Sequence, residues 1–307
     1  SDPFNKWEAG RTLARDVLLS MINGAQADPA YLDAMHRVVV DDSLDPAFRA
    51  LAMTLPGDDE IAQALVDAGQ VPDPTVIYNA RKSLTKTLAV AMKSDLVRLF
   101  SALDVPGAYS PDAEPAGKRA LRIAVLGLLS EIDGGHAADQ LFTTADNMTE
   151  SLGALAALIR IGKGDSQLAA FYDRWQNDRL VVDKWFTMQV MLSPPDKTAT
   201  IAKALTAHKD FDWKNPNRFR SIIGPLSVNH AGFHDPSGAS YTLLADWLIK
   251  LDPVNAQTTA RMSGAFEAWK RYDPKRQALM TAQIERILAS PTVSKNTTEM
   301  LTRIMKA

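Results

Sequence analysis

The sequence predicts an all-α protein, a superhelical array of antiparallel helix pairs of the armadillo and HEAT kind. Three observations predict it. Apolar residues recur at three- and four-residue spacing almost throughout the chain. An aspartate or asparagine stands before a proline at Asp45-Pro46, Asp73-Pro74, Asn215-Pro216, Asp252-Pro253 and Asp273-Pro274. Each supplies a capping side chain, followed by a residue whose missing N–H costs nothing in a first helical turn. Alternating Val, Ile and Thr between Asn-Gly or Asp-Gly turns, the mark of hairpins, is missing.

The elements follow in order. WEAGRTLARDVLLSMI places Trp7, Leu13, Val17, Leu18, Met21 and Ile22 on one helix face. Residues 75–103 keep the period long enough for one long helix. AYSPDAEPAGK, residues 108–118, holds Pro111 and Pro115 among small and acidic residues and reads as an exposed loop. That loop, 106–116, marks a possible subdivision of the chain into 1–105 and 117–307. Beyond it, polar links at Asp146–Thr149, Asn177–Arg179 and Lys214–Pro216 recur at about the length of a helix pair. FYDRWQND and DKWFTMQVM place Phe171, Trp175, Trp185, Phe186 and Met188 at helical spacing, as a packed seam requires.

Composition excludes several classes of function. With 307 residues, a formal charge of -2 and a pI near 6.2, the chain has no basic footprint for nucleic acid. Cysteine is absent, which removes thiolate catalysis, disulfides and Cys-rich zinc sites. No apolar run approaches the ~18–20 residues of a membrane span; Ile123–Leu129 is short and meets Ser130-Glu131 at once. The start, SDPFNKWEAG, is not a signal peptide and lacks Met, so a processed chain or a piece of a longer one is expected.

The residues assemble no recognisable catalytic apparatus. The histidines are His36, His136, His208, His230 and His234. His230 and His234 stand four apart in HAGFH, but the glutamate of H-E-x-x-H is missing. Gly232 and the following Asp235-Pro236-Ser237-Gly238 argue for a turn, so loop-structuring histidines are expected there rather than zinc ligands. G-x-G-x-x-G after a strand, G-x-x-x-x-G-K-[ST] and G-x-S-x-G do not occur. SGAS, residues 237–240, reads as a turn and helix start. KRYDPKRQ, residues 270–277, reads as a solvated turn with Asp273 as its cap. No catalytic residue, metal ligand or cofactor is assigned to this chain.

Six blocks carry a family resemblance: DPFNKWEAGR, ADNMTESLGALAAL, LVVDKWFTMQ, NPNRFRSIIG, AGFHDPSGASY and KRYDPKRQALM. They resemble the C-terminal domain of bacterial aminopeptidase N, of the gluzincin zinc aminopeptidases, from about Asp2 to the last residue. The resemblance implies that residues 1–307 are one C-terminal helical domain of a larger hydrolase. A saddle-like β domain, a thermolysin-like catalytic domain and a small β-sandwich would precede it. Zinc, the H-E-x-x-H helix and the G-x-M-E-N motif would lie upstream, leaving this part inactive alone. Its implied partners are the upstream catalytic and β domains of the same chain and a peptide substrate, in a cytoplasmic enzyme of peptide catabolism. Its implied role is to enclose the catalytic chamber, gate entry and contact the distal part of the peptide. The competing reading is a free-standing helical-repeat adaptor that binds proteins on its concave face.

NPNRFRSIIG raises a local question. Asn215 caps and Pro216 takes the first turn, yet Arg218 and Arg220 follow where the helix dipole disfavours cations. Two residues apart, they point about 200° from one another. An arginine fork beside free N–H groups suits a carboxylate. Arg220 is the better candidate. Arg261, a lone cation among small residues in TTARMSGAF, is the second. Arg220 and Arg261, with Arg218, are the expected substrate contacts, engaging peptide carbonyls or the C-terminal carboxylate. The alternative has Arg220 pairing with an acid across a domain interface.

Overall fold

A computed structural model describes residues 3–306, and helix is the only regular structure among them. In order come α1 (Pro3–Ile22), α2 (Pro29–Val40), α3 (Pro46–Ala52), α4 (Asp58–Asp67), α5 (Pro74–Ala91) and α6 (Lys93–Ala102). Then follow α7 (Ala113–Asp133), α8 (His136–Thr144), α9 (Met148–Arg160), α10 (Asp165–Trp175), α11 (Arg179–Met191) and α12 (Thr198–Leu205). The last six are α13 (Pro216–Val228), α14 (His230–Phe233), α15 (Ala239–Leu251), α16 (Ala256–Ser263), α17 (Pro274–Leu288) and α18 (Lys295–Lys306). Asn147, Asp178 and Asn215, in the three recurring polar links, are the side-chain caps of α9, α11 and α13.

Two compact units result. One runs to Ile61 and resumes from Val76 to Leu168; the other takes Ala62–Thr75 and the chain from Ala169 on. The division thus falls within α10 and not at 106–116, because α7 beyond that loop packs along α3 and α6.

In the first unit α7 is the central element, in contact with α3, α6, α8 and α9. Leu121, Val125 and Leu126 on α7 are buried, and Gly153 lets α9 come close. A Cβ at Gly153 would lie 2.7 Å from Ile123, on a branched side chain with little freedom to retreat. The expected loop over 108–118 ends early, since α7 starts at Ala113 with Pro115 in its first turn, where no N–H is needed. The single long helix expected over 75–103 is bent at Met92. The Met92 N–H still reaches the Leu88 carbonyl at 3.1 Å, and its own carbonyl accepts from Leu96 at 2.9 Å. The ladder therefore continues through the bend, which turns the Met92 side chain into the core.

In the second unit α11 and α13 pack side by side, with α12 against both. Phe171, Trp185 and Phe186 are buried as the aromatic spacing predicts. Pro225 sits inside α13 and cannot donate to the Ser221 carbonyl one turn back. Thr187 on α11 supplies the missing donor, its hydroxyl reaching that carbonyl at 3.1 Å. Asp252-Pro253 does not start a helix. The Asp252 carboxylate is buried and accepts instead from the Ser294 hydroxyl at 2.9 Å, the Ser294 N–H and the Thr297 hydroxyl. It thereby caps α18 from more than forty residues away in sequence, and local spacing cannot show that.

Thr187→Val keeps the shape and removes the hydroxyl, leaving the Ser221 carbonyl without its donor. The expected loss is about 1–3 kcal/mol, seen as a lower urea midpoint at unchanged slope. Thr187→Ser should retain most of the stability; equal losses in the two variants would refute the donor role.

Candidate functional site

Helices α16 and α18 pack against each other. Asn255 caps α16 through the Thr258 N–H at 3.0 Å, and the Trp269 indole donates to the Ile304 carbonyl at 3.0 Å. With Asp252 fixing the start of α18, both helices are anchored to the body of the unit. Between them opens a groove of about 850 Å³. From α16 and the turn after it come Gln257, Arg261, Gly264 and Glu267; from α18 come Asn296, Glu299, Met300 and Arg303.

Few of the charges in this groove pair with one another. The Arg261 and Glu267 side chains, both exposed, make no hydrogen bond or ion pair with any other described residue. Among the described residues the Arg303 side chain makes one polar contact, to the Met300 sulfur at 3.1 Å. Glu299 holds the distant end of Lys295 at 3.7 Å, an exposed pair of small energetic weight. The small residues Ala260 and Gly264 leave the groove open beside Arg261.

Of the arginines the sequence singled out, the structure places only Arg261 here. Arg218 is corrected: it is 5% exposed, and its Nε meets the Asp183 carboxylate at 2.7 Å. Its guanidinium also lies over the Phe186 ring and donates to the Arg179 carbonyl. The first-turn position that looked open to an anion is covered by α11. Arg220 folds back on its own helix, donating to the Pro216 carbonyl at 3.1 Å and to the Asn217 amide oxygen at 2.7 Å. It meets no carboxylate among the described residues.

Sequence reading missed Glu267, Glu299 and Arg303. The signal of Glu299 and Arg303 is periodic: Asn296, Glu299, Met300 and Arg303 share one face of α18, as Gln257 and Arg261 share one face of α16. Only knowledge that α16 meets α18 turns two polar stripes into one site.

HAGFH forms the single turn α14 and the residue after it. The His230 Nε2 is 2.9 Å from the Tyr272 hydroxyl, and the His234 Nδ1 is 2.7 Å from the Tyr241 hydroxyl. The two imidazoles are held by tyrosines, and no group of three or more His, Asp or Glu side chains is gathered for a metal among the described residues. The pair does not fit a zinc centre and serves the loop instead. Burial pushes the His234 imidazole well below its ordinary range, and His230, Arg276 and Arg271 nearby add to the effect. KRYDPKRQ is corrected as well: Tyr272 and Arg276 are buried. Arg276 donates to the His234 carbonyl at 2.7 Å and pairs with Asp273 at 2.6 Å and Asp73 at 3.4 Å. Burial would raise the Asp273 carboxyl, but Arg276 beside it outweighs burial and holds it below the usual range.

The fold and groove define a helical-repeat domain with a charged cleft near its end. Over residues 1–306 the chain matches the family described as a domain of unknown function with ARM repeats, DUF3458_C, and it belongs to that family. It is 38% identical to aminopeptidase N of Caulobacter vibrioides over 99% of its own length and 36% of that protein's. It is 33% identical to aminopeptidase N of Escherichia coli over 98% of its length and 35% of the relative's. The solved structure of Legionella pneumophila aminopeptidase A with aspartic acid superposes with a TM-score of 0.88 at 27% identity, over the whole of this chain and 37% of that one. The chain thus spans little more than a third of the length of the relatives it matches.

The buried histidine gives the unit an acid sensitivity. The unfolded chain takes up a proton near the ordinary value of 6.5, whereas the folded state resists it. Stability is therefore full above that pH and declines as pH falls below it. The melting temperature should drop between pH 7 and 5, ahead of the further loss expected when Asp273 is protonated. His234→Gln should flatten the decline between pH 7 and 5, whatever it does to the melting temperature itself. An unchanged slope would assign the sensitivity to another group.

Proposed function

We propose that this chain is the C-terminal helical domain of a zinc aminopeptidase that removes N-terminal amino acids from peptides. The observation that carries this reading is the match of nearly the whole chain to about a third of two aminopeptidases N. Catalytic residues and zinc belong, on this reading, to the upstream part of the enzyme, and this domain is inactive alone. Its work is to enclose the catalytic chamber and gate the entry of peptides in a cytoplasmic enzyme. Closure over a reaction centre excludes solvent, and contacts to the distal part of a peptide supply binding energy remote from the scissile bond.

Two arginines are assigned to that distal contact. Arg261 pairs with no other described residue and lies in an open groove, so its fork is available to peptide carbonyls or a C-terminal carboxylate. Arg220 makes two hydrogen bonds within its own first turn and could exchange them for a ligand without opening the core. Arg218 has no such freedom.

The purified chain should not hydrolyse alanyl or leucyl arylamides, with or without zinc. In the full-length enzyme that carries it, Arg261→Glu should raise KM for tetrapeptides about fivefold or more. KM for single-residue amides, too short to reach the domain, should stay within about twofold. Equal effects on both substrates would refute the wall contact. Zinc-dependent turnover by the chain alone would refute the non-catalytic role.

A further inference from the structure

The groove between α16 and α18 holds both signs of charge, and they do not neutralise one another. Among the described residues Arg261 and Glu267 have no ion partner, and the one polar contact of the Arg303 side chain is to a sulfur. Elsewhere in this unit arginines close to carboxylates pair with them, as Arg218 does with Asp183 and Arg276 with Asp273. At Arg261 the sequence supplies no such partner: the positions three and four residues away are Gln257, Thr258, Gly264 and Ala265. Glu267 follows the 3-10 turn at Gly264–Phe266 and lines the same groove without pairing to Arg261. On the facing helix Glu299 is four residues from Arg303, yet it leans to Lys295. Gln257 and Asn296 add amides, one from each wall, that can both donate to and accept from a peptide backbone. A volume of about 850 Å³ admits several residues of extended chain.

From this arrangement we infer that the groove is a subsite for peptides that carry a basic side chain near a free C-terminus. Arg261 and Arg303 receive the terminal carboxylate, and Glu267, aided by Glu299, receives the lysine or arginine side chain. The inference rests on the proposed role in peptide binding and adds to it a class of preferred ligand. Peptides with an acidic residue in the same place are disfavoured, because that residue meets Glu267. Since every one of these charges is at least partly exposed, selection is by sign and modest in size.

The test is titration calorimetry of the 307-residue chain at low salt with Ala-Ala-Lys-Ala, Ala-Ala-Glu-Ala, and Ala-Ala-Lys-Ala amidated at its C-terminus. The lysine peptide should bind about fivefold or more tightly than either of the others. Glu267→Gln should abolish the preference for lysine over glutamate while leaving the effect of amidation. Arg303→Gln should do the reverse, reducing the loss on amidation while leaving the lysine preference. Both positions are exposed, so the melting temperature checks that each variant is folded. Equal affinity for the three peptides, a preference that survives Glu267→Gln, or no binding up to about 10 mM would overturn the inference. Such a result would leave the gating role standing if Arg261→Glu still raised KM for tetrapeptides in the full-length enzyme. Loss of that KM effect together with peptide binding would remove both.

Discussion

The side chain of Asn229 is the contact on which the second unit depends. Its amide nitrogen donates toward the Val190 carbonyl at 3.1 Å and the Ser193 carbonyl at 2.9 Å, at the exit of α11. It also lies 3.1 Å from the Thr198 hydroxyl, while its oxygen accepts the Gly232 N–H at 3.1 Å. One carboxamide therefore serves the end of α11, the start of α12 and the first turn of α14. An aspartate could not donate and an alanine could do neither. The arrangement also requires Gly232. A Cβ there would sit 2.1 Å from the Thr198 Oγ1, closer than any side chain tolerates. The bare backbone lets α14 lie against α12 and leaves the Gly232 carbonyl to accept from Ser240 at 2.7 Å, which sets the start of α15. From α15 the chain reaches Asp252, and Asp252 places α18. The groove wall is thus several steps removed from Asn229, joined through named hydrogen bonds and the run of α15 to Asp252.

Buried charge performs a related task in this unit. Arg218, Arg276 and Asp252 are each at most 5% exposed, and each binds groups from another helix or a distant segment. Burying such groups costs about as much as their pairing returns, so their net effect on stability is small while intact. Their effect on register is large, because a slip of one residue would leave a charge in the core without its partner. Arg276 illustrates the point. It joins the His234 carbonyl, the cap Asp273 and Asp73 of the segment 62–75, three places that no local rule connects. These three charges are paired and buried, whereas Arg261, Glu267 and Arg303 in the groove are exposed and have no ion partner among the described residues.

What the sequence disclosed follows the range of the interactions involved. Caps at Asp45, Asn215 and Asp273 were legible because a cap reaches only two or three residues along the chain, while Asn147 and Asp178 were legible only as parts of polar links. The helical class was legible because the apolar period is local too. Asp252 carried the same Asp-Pro signature as the true caps, and its partners at Ser294 and Thr297 are visible only in three dimensions. Pro225 within α13 lacks an N–H for the ladder and is tolerated because Thr187 arrives from a neighbouring helix. Arg218 and Arg220 are two residues apart, and the sequence could say that they diverge. It could not say that α11 covers one and leaves the other in contact with its own turn. The groove was legible only at Arg261, as a cation without local company; Glu267 follows in the turn after α16, and Glu299 and Arg303 belong to a helix that begins some thirty residues later.

The energetic scale of the groove bears on what such a wall could do. A fully buried ion-binding pocket can hold its ligand through several kcal/mol of desolvated contact. Here Arg261, Glu267 and Arg303 are exposed, and each pair they form with a ligand is worth about 0.2–1 kcal/mol. Two or three such contacts shift the relative occupancy of competing peptides severalfold without lengthening the stay of any one of them greatly. If the domain walls a chamber as proposed, tight remote binding would slow the exit of a peptide as much as it favoured entry. A wall of exposed, hydrated charges would bias which peptides are present and leave their departure fast. That combination needs rigid helices under mobile side chains, and the buried contacts behind α16 and α18 supply the rigidity.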